Sequence, residues 1–90
     1  MNEHAEQLYT LLIARPAGFD MRNRTKCIAG HSHYIRTGAP SAEWKTDVEA
    51  SALGLTPEAG YRLFFQWPGG PYGICTDAAA AAQRLKAACA

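Results

Sequence analysis

Cys27 and His31 are the first residues whose types and spacing suggest chemistry, because a Cys-x3-His pair shares one face of a helix. Together with His33 and Cys75 they supply zinc-type ligands. On a helix, however, His33 lies about 240° around from Cys27 and faces elsewhere. No second tight pair completes a four-ligand set, so the expectation is that there is no metal and no cofactor. The same Cys27/His31 pair could activate a thiol nucleophile, with His31 as base. No acid that would orient the imidazole and no oxyanion loop accompanies it, so no catalytic residue is expected. A buried small thiol beside a core histidine is the simpler account.

The second group is basic. Arg22, Arg24 and Lys26 follow one another in a loop, with Arg36 ten residues further on. Between Arg15 and Arg36 stand five basic residues and the single acid Asp20, whereas the rest of the chain is net acidic. Such a patch can meet phosphates or an acidic protein surface. A third group is the aromatic–proline stretch from Trp67 to Tyr72, whose Trp and Tyr are residue types common at interface centres. Arg22, Arg24, Lys26, Arg36, Trp67 and Tyr72 are therefore the candidate partner-binding residues.

These groups have to be held by helices. Ala5, Leu8, Tyr9 and Leu12 form an apolar stripe that predicts a helix over 2–14, with Glu3 and Glu6 at its N-terminal end and Pro16 stopping it. Phe19 and Met21 flank Asp20 as anchors of the basic loop. A second helix is expected from about Thr25 to Arg36, capped by Asn23 or Thr25, with Cys27, Ile28, His31, Tyr34 and Ile35 inward. Gly30 within it would admit another helix closely. Ser41 reads as the cap of a third helix that buries Trp44, Val48 and Ser51 or Ala52. Gly54 then ends it, and Thr56-Pro57-Glu58 starts a fourth helix over 57–66. Tyr61, Phe64 and Phe65 share a face of that helix, with Leu63 at its edge. Thr76-Asp77 caps a last helix with Ala78, Ala81, Ala82, Leu85 and Cys89 inward. The fold class is all-α: a compact single-domain bundle of about five short helices over residues 1–90.

Ninety residues and an apolar content of 48% suit one small core. The net charge of +1 and an isoelectric point near 7.8 lie below those of dedicated nucleic-acid binders. Three cysteines without repeating spacing read as reduced thiols. The short apolar run Leu11-Leu12-Ile13-Ala14 is no export signal or membrane span. The expectation is a cytoplasmic protein with no membrane partner.

The order Phe19-Asp20-Met21, Cys27-Ile28-Ala29-Gly30-His31, Ala52-Leu53-Gly54-Leu55-Thr56, Leu63-Phe64-Phe65 and Trp67-Pro68, closed by an alanine-rich helix, resembles a group of small uncharacterised phage and prophage proteins. Their pattern reads FDM, then a paired-cysteine motif ending CIAG[WH], then LGLT and LF. This chain lacks the upstream cysteine of that pair, with Asn23 or Arg24 in the region. The resemblance implies a mobile-element setting in a bacterial host and no particular chemistry. The leading expectation is a small protein that inhibits a host defence complex by protein–protein contact, of the anti-CRISPR type. Its partner would be a host defence protein or ribonucleoprotein. Second stands a nucleic-acid-binding regulator that uses loop 22–26, and third a thiol- or zinc-dependent activity at Cys27/His31.

Overall fold

Asn2 begins the first helix, α1 (Glu3–Ile13): its side-chain oxygen accepts the Ala5 N–H at 2.8 Å. Ala5, Leu8 and Leu12 recur at helical spacing and are fully buried. The structure, a computed structural model, describes residues 1–66 and 76–90. Among them the chain forms four further helices: α2 (Ile28–Thr37), α3 (Thr46–Ala52), α4 (Pro57–Phe65) and α5 (Ala78–Ala88). The described residues contain no strand, so the all-α, five-helix expectation holds. The expected role of Trp67 and Tyr72 lies outside the described residues.

The longest helices, α1 and α5, pack together most extensively. Ala78, Ala81 and Ala82 give α5 a face low enough for this approach, and Leu85 seals the end. Arg84 ties α5 to the end of α4 by donating to the Arg62 carbonyl at 3.2 Å and the Gln66 carbonyl at 2.6 Å. Both carbonyls lie in the last turn of α4 or just beyond it, and that of Arg62 also accepts the Gln66 N–H. Between α3 and α4 the helices nearly touch at Gly60, where a Cβ would overlap the Ala50 side chain. The core gathers Leu8, Leu12, Ile28, Trp44, Leu53, Leu63, Phe64 and Leu85, with Phe19 and Met21 inserted from the loop as expected.

Two helices start later than predicted. Helix α2 opens at Ile28, not near Thr25, because Asn23 organises a turn first. Its side chain accepts the Thr25 N–H (3.0 Å) and hydroxyl (2.8 Å), and its carbonyl accepts the N–H groups of Lys26 and Cys27. Cys27 is then the N-cap, its sulfur accepting the Gly30 N–H at 3.4 Å. Gly30 is needed for a different neighbour from the one expected. A Cβ there would overlap the Arg24 carbonyl oxygen, so it is the chain's own turn, not another helix, that presses on α2. Helix α3 opens at Thr46, not at Ser41. The Ser41 hydroxyl closes only a local turn to the Glu43 N–H, and the Ala42 and Trp44 carbonyls are taken by Arg24. With Trp44 outside α3, its burial no longer sets the inward face of the helix: Glu49 and Ala50 are buried, and Val48, expected inside, is 41% exposed.

The stop between α3 and α4 forms as predicted. Gly54 adopts φ +77°, its N–H bonds the Ser51 carbonyl, and the Leu55 N–H bonds the Ala50 carbonyl at 2.8 Å. Thr56 caps α4 through its hydroxyl, with Pro57 in the first turn. After α1 the corresponding left-handed position holds Arg15, at φ +55°. A non-glycine residue there is strained by about 1–2 kcal/mol. Arg15→Gly is expected to stabilise the fold by about 0.5–1 kcal/mol, net of the extra freedom it gives the unfolded chain. The rise in melting temperature should be about 2–6 °C, read by circular dichroism. A lower melting temperature would show that the Arg15 side chain contributes more than its backbone strain costs.

Candidate interaction surface

Of the four basic candidates, three have their heads engaged within the chain. Arg22 grips Asp20 through Nε and a terminal nitrogen, both at 2.9 Å. Hydrogen bonds from the Arg22 side chain, and then from its backbone N–H, hold the Asp20 carboxyl below the usual aspartate value. Arg24 donates to the carbonyls of Ala42 (2.8 Å) and Trp44 (3.0 Å) and stacks 4.0 Å from the Trp44 ring centroid. In return the Trp44 indole N–H donates to the Arg24 carbonyl at 2.6 Å. Arg36 donates to a buried Glu49 oxygen at 2.7 Å. The arginines that the sequence suggests as partner contacts therefore also serve the fold, while each remains exposed. A forked guanidinium satisfies its donors on whatever carbonyl or carboxylate the fold brings near, and here each arginine finds a different one. Lys26 is exposed and has no ion-pair partner among the described residues.

Glu49, which sequence reasoning did not single out, is the centre of a polar network across three helices. Its side chain is fully buried. One oxygen accepts the Ser32 hydroxyl at 2.9 Å; the other accepts from Arg36, with His33 Nδ1 at 3.3 Å. Because Ser32 donates to Glu49, its oxygen accepts from His4 Nε2 at 2.8 Å, which fixes the His4 tautomer. Burial pushes the Glu49 carboxyl up, but hydrogen bonds from Arg36 and Ser32 and the Arg36 charge outweigh it, and the net direction is down. Burial lowers the His4 pKa. Serine, histidine and glutamate meet here, yet not as a nucleophilic triad. The hydroxyl, not the imidazole, stands in the middle, and Ser32 is sealed from solvent. The network joins α1, α2 and α3.

The Cys27/His31 pair is also structural in geometry. The His31 ring bonds the Cys27 carbonyl through Nδ1 at 3.0 Å, and the Cys27 thiol donates to the Arg24 carbonyl at 3.6 Å. Burial pushes the thiol pKa up, against the backbone N–H groups around it. A thiol held protonated is a poor nucleophile and a poor metal ligand. Among the described residues no group of three or more His, Cys, Asp or Glu side chains is placed to hold a metal ion. Cys75 lies outside the described residues.

What the surface does offer is aromatic. On α4, Tyr61 and Phe65 stand at i and i+4 with ring centroids 5.2 Å apart, 51% and 38% exposed. Phe65 leans on Trp44 at 5.9 Å, and Trp44 meets Phe64 edge-on at 5.8 Å in the core. The packing divides the face that Tyr61, Phe64 and Phe65 share: Leu63, Phe64 and Gly60 are buried, and Tyr61 and Phe65 lie outside. A signal was present in the sequence. Apolar residues at positions 61, 63, 64 and 65 span more of a helix than one core can cover.

No described helix is long and apolar enough to cross a membrane. Comparison of the chain with protein-family models, with curated proteins and with solved structures finds no match.

Proposed function

We propose that this protein works by binding another protein. In its specific form, it is a phage- or mobile-element-encoded inhibitor that blocks a host defence complex of the anti-CRISPR type by protein–protein contact. The observation that carries the binding reading is the exposed Tyr61–Phe65 pair, backed through Trp44 by the core. Rigid aromatic side chains lose little conformational freedom on docking and bury much area, which is why tyrosine is common among residues that dominate interfaces. The phage-protein resemblance supports the choice of target class. A nucleic-acid reading built on loop 22–26 is weaker, because Arg22 and Arg24 would have to release acceptors they already hold.

The test is retention of purified host defence ribonucleoprotein on the immobilised protein, together with phage survival in cells that express it. Tyr61→Ala combined with Phe65→Ala is expected to cost about 1 kcal/mol or less in stability, since both rings are substantially exposed. It should weaken retention by more than tenfold, as loss of about 2 kcal/mol at a central aromatic does. Retention unchanged in the double variant would remove α4 from the interface. No complex retained, with phage survival unaltered, would end the inhibitor reading.

A further inference from the structure

A groove of about 270 Å³ lies between the end of α1, the turn after it, the 25–26 turn and α2. Its walls are apolar: Leu11, Pro16, Pro40 and the ring of Tyr34. Thr25, Lys26 and His31 also line it, and the Thr25 hydroxyl is already bonded to Asn23. We propose that this groove binds the C-terminal residue of a polypeptide: an apolar side chain that carries a free carboxylate and an amide N–H. The proposal concerns a different surface from the aromatic pair on α4, and its failure would leave that reading standing.

Each part of such a residue meets a group left unsatisfied by the fold. The Lys26 ammonium has neither a carboxylate nor a carbonyl partner among the described residues, whereas Arg24, also without a carboxylate, is held by two carbonyls; residues 67–75 contain no acid. A carboxylate is its natural complement. His31 is only 8% exposed. Its Nδ1 faces a carbonyl oxygen, which can only accept, so Nδ1 carries a proton, and in the tautomer this selects Nε2 presents a lone pair. No hydrogen bond reaches Nε2, and no sealed side-chain nitrogen or oxygen among the described residues lacks a partner, so Nε2 faces the groove that its ring lines. A lone pair there favours a donor, which an amide N–H provides and a bare carboxylate does not. The volume falls just under the range of roughly 300–1,000 Å³ for drug-sized pockets, which suits one residue and not an extended peptide. Gly30 makes the arrangement possible, because only without a Cβ can the Arg24–Thr25 backbone lie on α2 and carry Lys26 beside His31.

The experiment is a titration of the isotope-labelled full chain with N-acetyl-L-phenylalanine at neutral pH, followed by the amide signals of Leu11, Lys26, His31 and Tyr34. Saturable shifts at these residues are expected with a dissociation constant of about 1 mM, the range for a ligand of this size. N-acetyl-L-phenylalaninamide, which lacks the charge, should bind about tenfold more weakly. So should 3-phenylpropionate, which lacks the N–H. Lys26→Met alters an exposed side chain, and should weaken the acid about tenfold while leaving the amide unchanged. The proposal is overturned by the absence of saturable shifts, by equal binding of acid and amide, or by unchanged binding of the acid to Lys26→Met. Equal binding of 3-phenylpropionate and N-acetyl-L-phenylalanine would overturn the assignment to a chain end.

Discussion

Trp44→Ala is expected to destabilise the protein by about 4 kcal/mol, the range for loss of a large buried aromatic side chain. For a chain of this length that is about half the total stability. The cost has three sources. The indole is 3% exposed and packs edge-on against Phe64, so its removal leaves a cavity in the core. Its N–H satisfies the part-buried Arg24 carbonyl, which would keep only the weak Cys27 thiol donor at 3.6 Å. Its ring is also the surface on which the Arg24 guanidinium rests. Trp44→Phe keeps most of the apolar volume and loses only the indole bond and part of the stacking, so about 1–2 kcal/mol is expected. Urea unfolding followed by far-ultraviolet circular dichroism measures both. If the two variants unfolded at the same denaturant concentration, the core contribution of the ring would be refuted. Phe65 rests on the same indole, so Trp44→Ala should also loosen the Tyr61–Phe65 pair without touching an exposed residue.

The second large effect is expected at the Glu49 network. Arg36→Ala should cost about 3 kcal/mol at neutral pH. The variant leaves a fully buried carboxylate with Ser32 and His33 as its remaining partners. The lower end of the range applies because the Arg36 head is 37% exposed and partly screened by water. Glu49→Gln should cost less, since it removes the charge that needs a partner and lets Arg36 turn to solvent. The effect depends on pH with a definite sign. In the folded protein the Glu49 pKa lies below its ordinary value of 4.5. The unfolded chain therefore binds the proton first as pH falls. The stabilisation is complete above the unfolded value and drains away as pH falls through the lower folded value. Loss of Arg36 removes the main cause of that depression, so the gap between wild type and Arg36→Ala should narrow below about pH 4.5. His4 adds a loss of the same sign that begins earlier, because burial holds its imidazole below the ordinary 6.5. Denaturant midpoints measured from neutral to acid pH test both statements. A gap that stays constant into acid would show that the Arg36 effect is packing and not charge.

The helices that could be read from the chain are those specified by local rules. Thr56-Pro57 needs only its own backbone to start α4, and Gly54 needs only a missing Cβ to end α3. The stripe Ala5–Leu8–Leu12 states which side of α1 faces inward before any partner is known. The late starts of α2 and α3 could not be read in this way. In each case a side chain distant from the helix interior captured backbone groups: Asn23 by closing a turn, and Arg24 by reaching across eighteen and twenty residues to the Ala42 and Trp44 carbonyls. Capping propensity ranks local competitors, and it has no term for a donor such as the Arg24 guanidinium brought in from a distant part of the chain.

The same division separates features fixed within a few residues from those fixed by contacts between distant parts of the chain. Helical class, the number of helices, their firm stops, and the anchoring of the loop by Phe19 and Met21 follow from periodicity, glycine, proline and apolarity, each of which acts within a few residues. Which charges are available to a partner does not. Arg22, Arg24, Lys26 and Arg36 look alike in the sequence, yet three side chains are bound within the chain and the Lys26 ammonium alone lacks an ion-pair or hydrogen-bond partner among the described residues. Likewise Tyr61 and Phe64 are equally apolar in pattern, and only the packing of α4 against Ala50 at Gly60 places one outside and the other within. The physical reason is that availability for binding is what remains after the fold has satisfied its own donors, acceptors and apolar surface, and that remainder depends on contacts between distant parts of the chain.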